Sequence, residues 1–264
     1  MKLIRQDTCF TVTDFKRVDK YQYAKYTRDD DHGPRTYLVN EKKVPSVTTI
    51  LSKTASKEKQ ASLDAWRERV GYQQAQEITS QAAIRGTEMH YVLENYMNGI
   101  GYLNLSSKGA QSRIMAHKII ENLEPLKIIY GNEVSLAYDD QWAGSTDLVG
   151  NFDGKDTIID FKQANRVKKE EYIEDYFLQS SIYAYMFKER TGISIGNCVV
   201  IIASDELTCQ IFEFKPINYL PKIIKRLKYL QNKQEQSPTN SRIELINLKE
   251  IQKIIFLKIG RAHV

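Results

Sequence analysis

The sequence predicts an α/β fold in which helices flank a central mixed β-sheet. Three observations carry that expectation. Two apolar-rich runs, 143–152 and 157–161, are joined by Asp153-Gly154, a hairpin dipeptide. A second pair of runs, 196–203 and 208–214, brackets Asp205-Glu206 as a turn. Stretches of helical period precede, separate and follow these strands.

Residues 1–45 are polar, aromatic and irregular, and Asp29-Asp30-Asp31-His32-Gly33-Pro34 reads as a loop. Its acidic triplet beside a histidine is either solvated or a weak metal site. Residues 37–39 are a candidate strand. Residues 45–51, PSVTTIL, lead into a helix; Ser46, Thr48 and Thr49 either cap it or bond a phosphate. Residues 56–79 read as one helix with Leu63, Trp66, Val70 and Ala75 near one face, and 81–98 as a second with Ala82, Met89, Leu93 and Met97 as its stripe. Gly99 and Gly101 end it. His90 and Glu94 lie one turn apart on it, with Arg85 and Gly86 a turn earlier. A helical Gly86 costs about 1 kcal/mol relative to Ala, which points to close packing, to ligand approach or to a helix start.

A third helix is expected over 107–126, stopped near Pro125. A strand follows at 132–138, then a turn at Asp139-Asp140-Gln141 leading into the hairpin. A long helix spans 171–190, closed by Thr191-Gly192, and a basic amphipathic helix spans 219–232. Residues 234–241 form a polar linker. The sequence has no internal repeat, and 1–233 is expected to be one domain. The last six residues, IGRAHV, are the translation of ATCGGAAGAGCACACGTC, a string resembling a sequencing-adapter segment. The expectation is that 259–264 are an artefact, that the authentic C-terminus is missing, and that His263 carries no function.

Composition narrows the class. Of 264 residues, 42% are hydrophobic and 27% charged, ordinary for a soluble globular chain. A net charge of +5 tolerates a polyanionic partner without requiring one. Sixteen tyrosines supply rings that can stack on bases, although most are expected in the core. Cys9, Cys198 and Cys209 are scattered, which argues against a disulfide framework, a zinc ribbon or an iron–sulfur cluster, and for a reducing compartment such as a cytoplasm. The longest apolar run is about six residues, 198–203, against the roughly 20 a membrane span needs.

The chemistry concentrates on the hairpin. Asp160 and Lys162 are two apart and share a strand face, with Asp147 on the preceding strand. Acids and a lysine converging there suit a divalent metal and a phosphate better than a core, where unpaired charge is costly. Asp147 and Asp160 are hard oxygen ligands for Mg²⁺ or Mn²⁺, the Phe161 backbone carbonyl is a further one, and His90 adds a nitrogen that tilts preference towards Mn²⁺. Lys162 would orient the metal's water or neutralise transition-state charge. Glu133 would hold a second metal or a water. Each has a duller reading: Asp147 as a turn cap, Lys162 as a solvated lysine, His90 as a satisfied core histidine. The joint pattern is what gives them weight.

That pattern resembles a known family. RGTEMH with Glu94, then Glu133, GSTD (144–147), IIDFK (158–162) and QSSIY (179–183) together resemble the PD-(D/E)XK nuclease superfamily and, within it, the RecB-like exonuclease branch. The PSVTTIL segment is further similar to phage exonucleases and the mitochondrial genome maintenance exonuclease group. The resemblance spans 45–187 and implies a restriction-endonuclease-like core over 131–233, after a helical part over 45–130. It implies His90, Asp147 and Asp160 as metal ligands and Lys162 as catalytic lysine. It further implies Gln179 and Tyr183 beside the site helping to place DNA, and Arg85 on a phosphate; Glu94 and Glu133 match acidic positions of unassigned duty. The four cluster-binding cysteines of some relatives are absent, and no GxxxxGK[ST] loop is present, so any helicase or single-strand-binding partner is a separate protein.

The expected function is therefore a Mg²⁺/Mn²⁺-dependent DNA exonuclease favouring single strands or ends, in phage-type recombination, repair or replication, in the host cytoplasm if phage-encoded. Tyr91, Tyr96 and Tyr183 are candidate stacking rings, and Arg166, Lys168 and Lys169 candidate phosphate contacts or merely a solvated loop. The alternatives are a site- or structure-specific endonuclease of the same fold, an inactive DNA-binding module and a metal-binding structural protein.

Overall fold

The computed structural model describes residues 15–31, 33–100 and 107–235. The expectations placed on Cys9, His32, Gly101, the linker beyond 235 and residues 259–264 lie outside them. A two-residue strand β1 (Lys16–Arg17) comes first, then a small antiparallel sheet of β2 (Thr27–Asp29), β3 (Thr36–Val39) and β4 (Lys42–Pro45). Only β3 is legible in the sequence, because its neighbours are short, charged and exposed.

Helix α1 (Val47–Lys53) opens at Ser46. The Thr49 N–H donates to Ser46 Oγ at 3.0 Å, and the Thr49 hydroxyl donates to the Arg35 carbonyl at 3.0 Å. Of the two readings of PSVTTIL, capping is the one these buried hydroxyls carry out. Helix α2 (Lys57–Val70) and helix α3 (Tyr72–Met97) follow. The sequence places their break near residue 80; it falls at Gly71 instead, where φ is +86°, a conformation glycine adopts without strain. The apolar face expected on α2 does not exist as a packed face. No α2 residue is buried, and Leu63 is exposed.

Helix α4 (Ser107–Ile120) is shorter than predicted, and strand β5 (Leu126–Tyr138) starts six residues earlier. The N-terminal half of β5 interrupts its alternation with two register shifts, which hides it from a period-2 reading. Strands β6 (Trp142–Phe152) and β7 (Lys155–Ala164) form the predicted hairpin, with positive φ at both Asp153 and Gly154. A 3₁₀ turn (Glu170–Tyr172) leads to α5 (Glu174–Thr191), closed by Gly192. Strands β8 (Asn197–Ser204) and β9 (Cys209–Phe214) and helix α6 (Leu220–Glu235) complete the described fold.

The main sheet has six strands in the order β1-β5-β6-β7-β8-β9, with β1·β5 and β7·β8 parallel and the rest antiparallel. Helices cover both faces, as the sequence predicts. Met89 and Leu93 of α3 and Met115 and Ile119 of α4 pack with Leu148, Ile159, Val199 and Ile201 on one face. Ile50 of α1, Leu178 and Met186 of α5 and Leu227 of α6 pack with Val149, Ile158 and Cys198 on the other. Every residue of β8 is buried, which accounts for its unbroken apolar run.

One feature of the ladder positions the site. The β6–β7 pairing runs from Phe152↔Lys155 to Leu148↔Ile159 and stops. Beyond that point β6 stays with β5 as far as Tyr138↔Trp142, while β7 stays with β8 as far as Ala164↔Ser204. The sheet forks between Asp147 and Asp160.

Candidate active site

Asp147 and Asp160 are the first residues past the last β6–β7 pair, so each stands at the fork. Asp147 fills the gap with its own carboxylate: the Phe161 N–H donates to Asp147 Oδ2 at 2.6 Å. In an extended strand the N–H and C=O of one residue point to the same side. The Phe161 carbonyl therefore faces the fork too. Across β5, Glu133 stands opposite Asp147 between the pairs Asn132↔Leu148 and Val134↔Thr146. Its φ of +50° is left-handed for a non-glycine residue, a strained conformation that recurs at functional sites. Ser145 Oγ donates to Glu133 Oε2 at 3.2 Å.

Helix α3 brings His90 over the fork, with Nδ1 3.2 Å from Asp147 Oδ1. Ligand atoms of His90, Glu133 and Asp147 all lie within 4.8 Å of one another. This set differs from the predicted ligands in one member. Glu133, expected to hold a second metal or a water, is the third member, while Asp160 stands beside the cluster, ion-paired with Lys162 two residues on. The Lys162 ammonium is paired directly with the buried Asp160 Oδ2. Lys162 Nζ also lies 5.3 Å from the centre of the Tyr176 ring, a neighbour the sequence reading missed although Tyr176 sits one turn before Gln179.

Charge is divided unevenly among these groups. Burial works against the Asp147 carboxylate, but His90, Lys162 and the Phe161 N–H outweigh it and hold its pKa below the usual value. Burial, then the Asp147 charge, push Glu133 up to about 7. Burial raises Asp160 to about 6 against the pull of Lys162. Burial pulls His90 and Lys162 down, but the facing carboxylates prevail and both stand above their usual values. Three carboxyl groups thus face one imidazole and one ammonium at the fork. Three convergent donors, two of them carboxylates, fit a divalent cation.

The remaining predicted residues are distributed differently. Gln179 Nε2 donates to Tyr183 Oη at 3.2 Å, and both residues are buried. The Tyr183 ring lies against the backbone of Gly144, where a Cβ would stand 2.6 Å from Tyr183 Cε1. The stacking role expected of Tyr183 is incompatible with that burial; what the pair does here is fix α5 against β6. Arg85 is likewise committed within the chain. Its Nε donates to Gln163 Oε1 at 2.9 Å, and its other nitrogens meet Asn165 and Asp205, so its guanidinium is held by the chain's own side chains. A Cβ on Gly86 would meet Gln163 at an ordinary 3.6 Å, so tight packing does not demand that glycine. Glu94 is half-buried, and its charge helps raise Glu133. Arg166 is exposed, while the backbone of Lys168 is pinned to Gln210 on β9 through bonds of 2.7 and 2.9 Å. Tyr91 is exposed, whereas Tyr96 packs edge-on against Phe15.

No helix among the described residues is long and apolar enough to cross a membrane. No protein-family model matches the chain, and no curated protein matches it. Solved structures do give matches. One is a crystal structure of a "Putative exonuclease" from Eubacterium rectale, 13% identical, covering 66% of this chain and 67% of that one with a TM-score of 0.38. Another is the crystal structure of SSO0001, 13% identical, covering 70% of this chain and 85% of that one with a TM-score of 0.28. Likeness this slight establishes neither ancestry nor activity.

Proposed function

We propose that this chain is a divalent-metal-dependent deoxyribonuclease, built as one domain over the described core, that hydrolyses phosphodiester bonds from DNA ends and favours single strands. The observation that carries the reading is the convergence of His90, Glu133 and Asp147 at the fork of the sheet, with the Asp160–Lys162 pair beside it. His90, Glu133 and Asp147 would hold the ion, with the Phe161 carbonyl as a fourth donor. A bound Mg²⁺ or Mn²⁺ supplies charge stabilisation for the phosphoryl oxygens and a water of lowered pKa. Lys162 places its ammonium where negative charge accumulates on the scissile phosphate. Asp160 positions that ammonium, and Tyr176 limits its approach from the side.

End-labelled single- and double-stranded oligonucleotides, incubated with Mg²⁺, Mn²⁺ or chelator, test the proposal. Release of mononucleotides or short products with metal, and none with chelator, is expected. A covalently closed circle should survive; its cleavage would move the assignment to an endonuclease. Failure of both metals to support hydrolysis of any DNA, with His90, Glu133 and Asp147 intact, would refute a nuclease.

A further inference from the structure

A groove of about 520 Å³ opens between α2 and α5, beside the fork. Its α2 wall carries Lys59, Leu63 and Arg67, each four residues from the next and so on one face of the helix. Its α5 wall carries Tyr176 and Gln179. Tyr176 joins the groove to the site, because the same half-buried ring lies 5.3 Å from Lys162 Nζ. The groove therefore begins where Lys162 would meet a scissile phosphate. It extends along α2 for about 12 Å, the rise from Lys59 to Arg67.

Helix α2 buries no side chain, and its Leu63 is 42% exposed. Its contribution to the core is small, yet its groove side sets an aliphatic residue between two cations. Those cations are exchangeable. Arg226 donates to Asp175 Oδ1 at 2.7 Å while Lys59 meets Oδ2, so Lys59 can leave without stranding a bare carboxylate. Arg67 pairs with Asp64 one turn back, in an exposed ion pair worth little in water. A ring, an aliphatic side chain and two exchangeable cations suit a single nucleic-acid strand, whose bases stack on rings and whose phosphates take cations. A base paired in a duplex is already stacked within its helix and has no free face to offer Tyr176.

Resting on the nuclease reading above, we propose that this groove holds the nucleotides next to the scissile phosphate as a single DNA strand. One base lies against Tyr176 and Leu63, and the phosphates meet Lys59 and Arg67. Tyr176 is then the residue that selects a single strand, since it borders both the groove and the catalytic lysine.

The test is equilibrium binding to the full chain with chelator present, which reads the groove whether or not the chain cuts. Lys59→Gln with Arg67→Gln should weaken binding of a short fluorescent oligothymidylate about tenfold. It should also lower the slope of log affinity against log salt by about 1.4, at about 0.7 per phosphate contact on a single strand. Lys155→Gln with Lys215→Gln removes the same charge at a pocket where β7 begins, away from the groove, and should leave both quantities unchanged. Tyr176→Leu should cost about tenfold, and Tyr176→Phe, which keeps the ring, less than about twofold. Binding of a blunt duplex should change less than about twofold in every variant. Lys59 and Arg67 are exposed, so the double variant tests the groove even if Tyr176→Leu fails to fold. An unchanged salt slope in the double variant overturns the proposal. So does a Tyr176→Phe variant as weak as Tyr176→Leu, or an equal loss on the duplex. None of these outcomes touches the nuclease reading, which fails separately if neither metal supports cleavage of the end-labelled substrates.

Discussion

Glu133→Gln separates the cost of the acidic cluster from its use. In the folded chain Glu133 keeps its proton up to about pH 7, against 4.5 for an ordinary glutamate. A group whose folded pKa is raised adds stability below the unfolded value, and that stability is lost as pH rises through the folded value. At 1.36 kcal/mol per pH unit, the interval from 4.5 to about 7 corresponds to about 3 kcal/mol at most, since coupling to Asp147 shares the effect. Glutamine keeps the size and still accepts from Ser145, but it cannot ionise. Urea denaturation with chelator present should therefore find Glu133→Gln more stable than wild type by about 1–3 kcal/mol at pH 8 and nearly equal to it at pH 4, below the unfolded value. Added Mn²⁺ should raise the melting temperature of wild type at pH 8 and leave the variant little changed, because a ligand has been lost. An identical stability difference at both pH values would refute the electrostatic reasoning. A variant that kept its full Mn²⁺ response would remove Glu133 from the metal site.

Other expectations are simpler to read. Asp160→Ala and Lys162→Ala should each abolish cleavage while retaining DNA binding by gel shift, and Lys162→Ala should still take up Mn²⁺. Wild-type cutting rates in either would sink the assignment. Gly144→Ala would press a methyl into the buried Tyr183 ring, so a loss of about 1–3 kcal/mol in chemical denaturation is expected; a neutral result would show that α5 gives way freely. Arg85→Ala should lower thermal stability through lost contacts with Gln163 and Asp205, yet leave the salt slope of DNA binding unchanged, because no phosphate contact is removed. Burial lowers His117 from 6.5 to about 4. The folded chain thus resists protonation there, and stability should fall as pH drops from about 6.5 to 4, by less than about 3 kcal/mol given its partial exposure. His117→Gln should flatten that part of the stability–pH curve.

What the sequence made legible was whatever depended on short range. The Asp153-Gly154 turn, the i,i+2 placement of Asp160 and Lys162, and the i,i+4 pair Gln179–Tyr183 need only strand or helix geometry, and each is found in place. Relations across the sheet were not legible. That Glu133 faces Asp147 depends on two register shifts earlier in β5 and on a left-handed residue with no glycine to announce it. That Arg85 is bound to Asp205 depends on α3 meeting the turn after β8, 120 positions away in sequence. The motif residues Gly144 and Tyr183 invited a functional reading, yet each is explained by the other: the ring needs the missing Cβ.

The fork itself shows why the charges are tolerated. A β-ladder between β6 and β7 past Leu148↔Ile159 would have placed backbone pairs where Asp147 now stands and closed the gap. Because the strands part, the Phe161 N–H is left without a strand partner, and a carboxylate is the strongest acceptor available to it. That bond anchors Asp147 as an anion in a buried position. The anion in turn draws in the imidazole of His90 and resists ionisation of Glu133. The sequence of causes runs from a broken hydrogen-bond ladder to a cluster in which Glu133 and His90 both hold protons. Such a cluster is poised to exchange those protons for a cation, so cation uptake at pH 6 should release protons that calorimetry in buffers of different ionisation enthalpy can count. Uptake without proton release would mean that the ion sits elsewhere than between His90, Glu133 and Asp147.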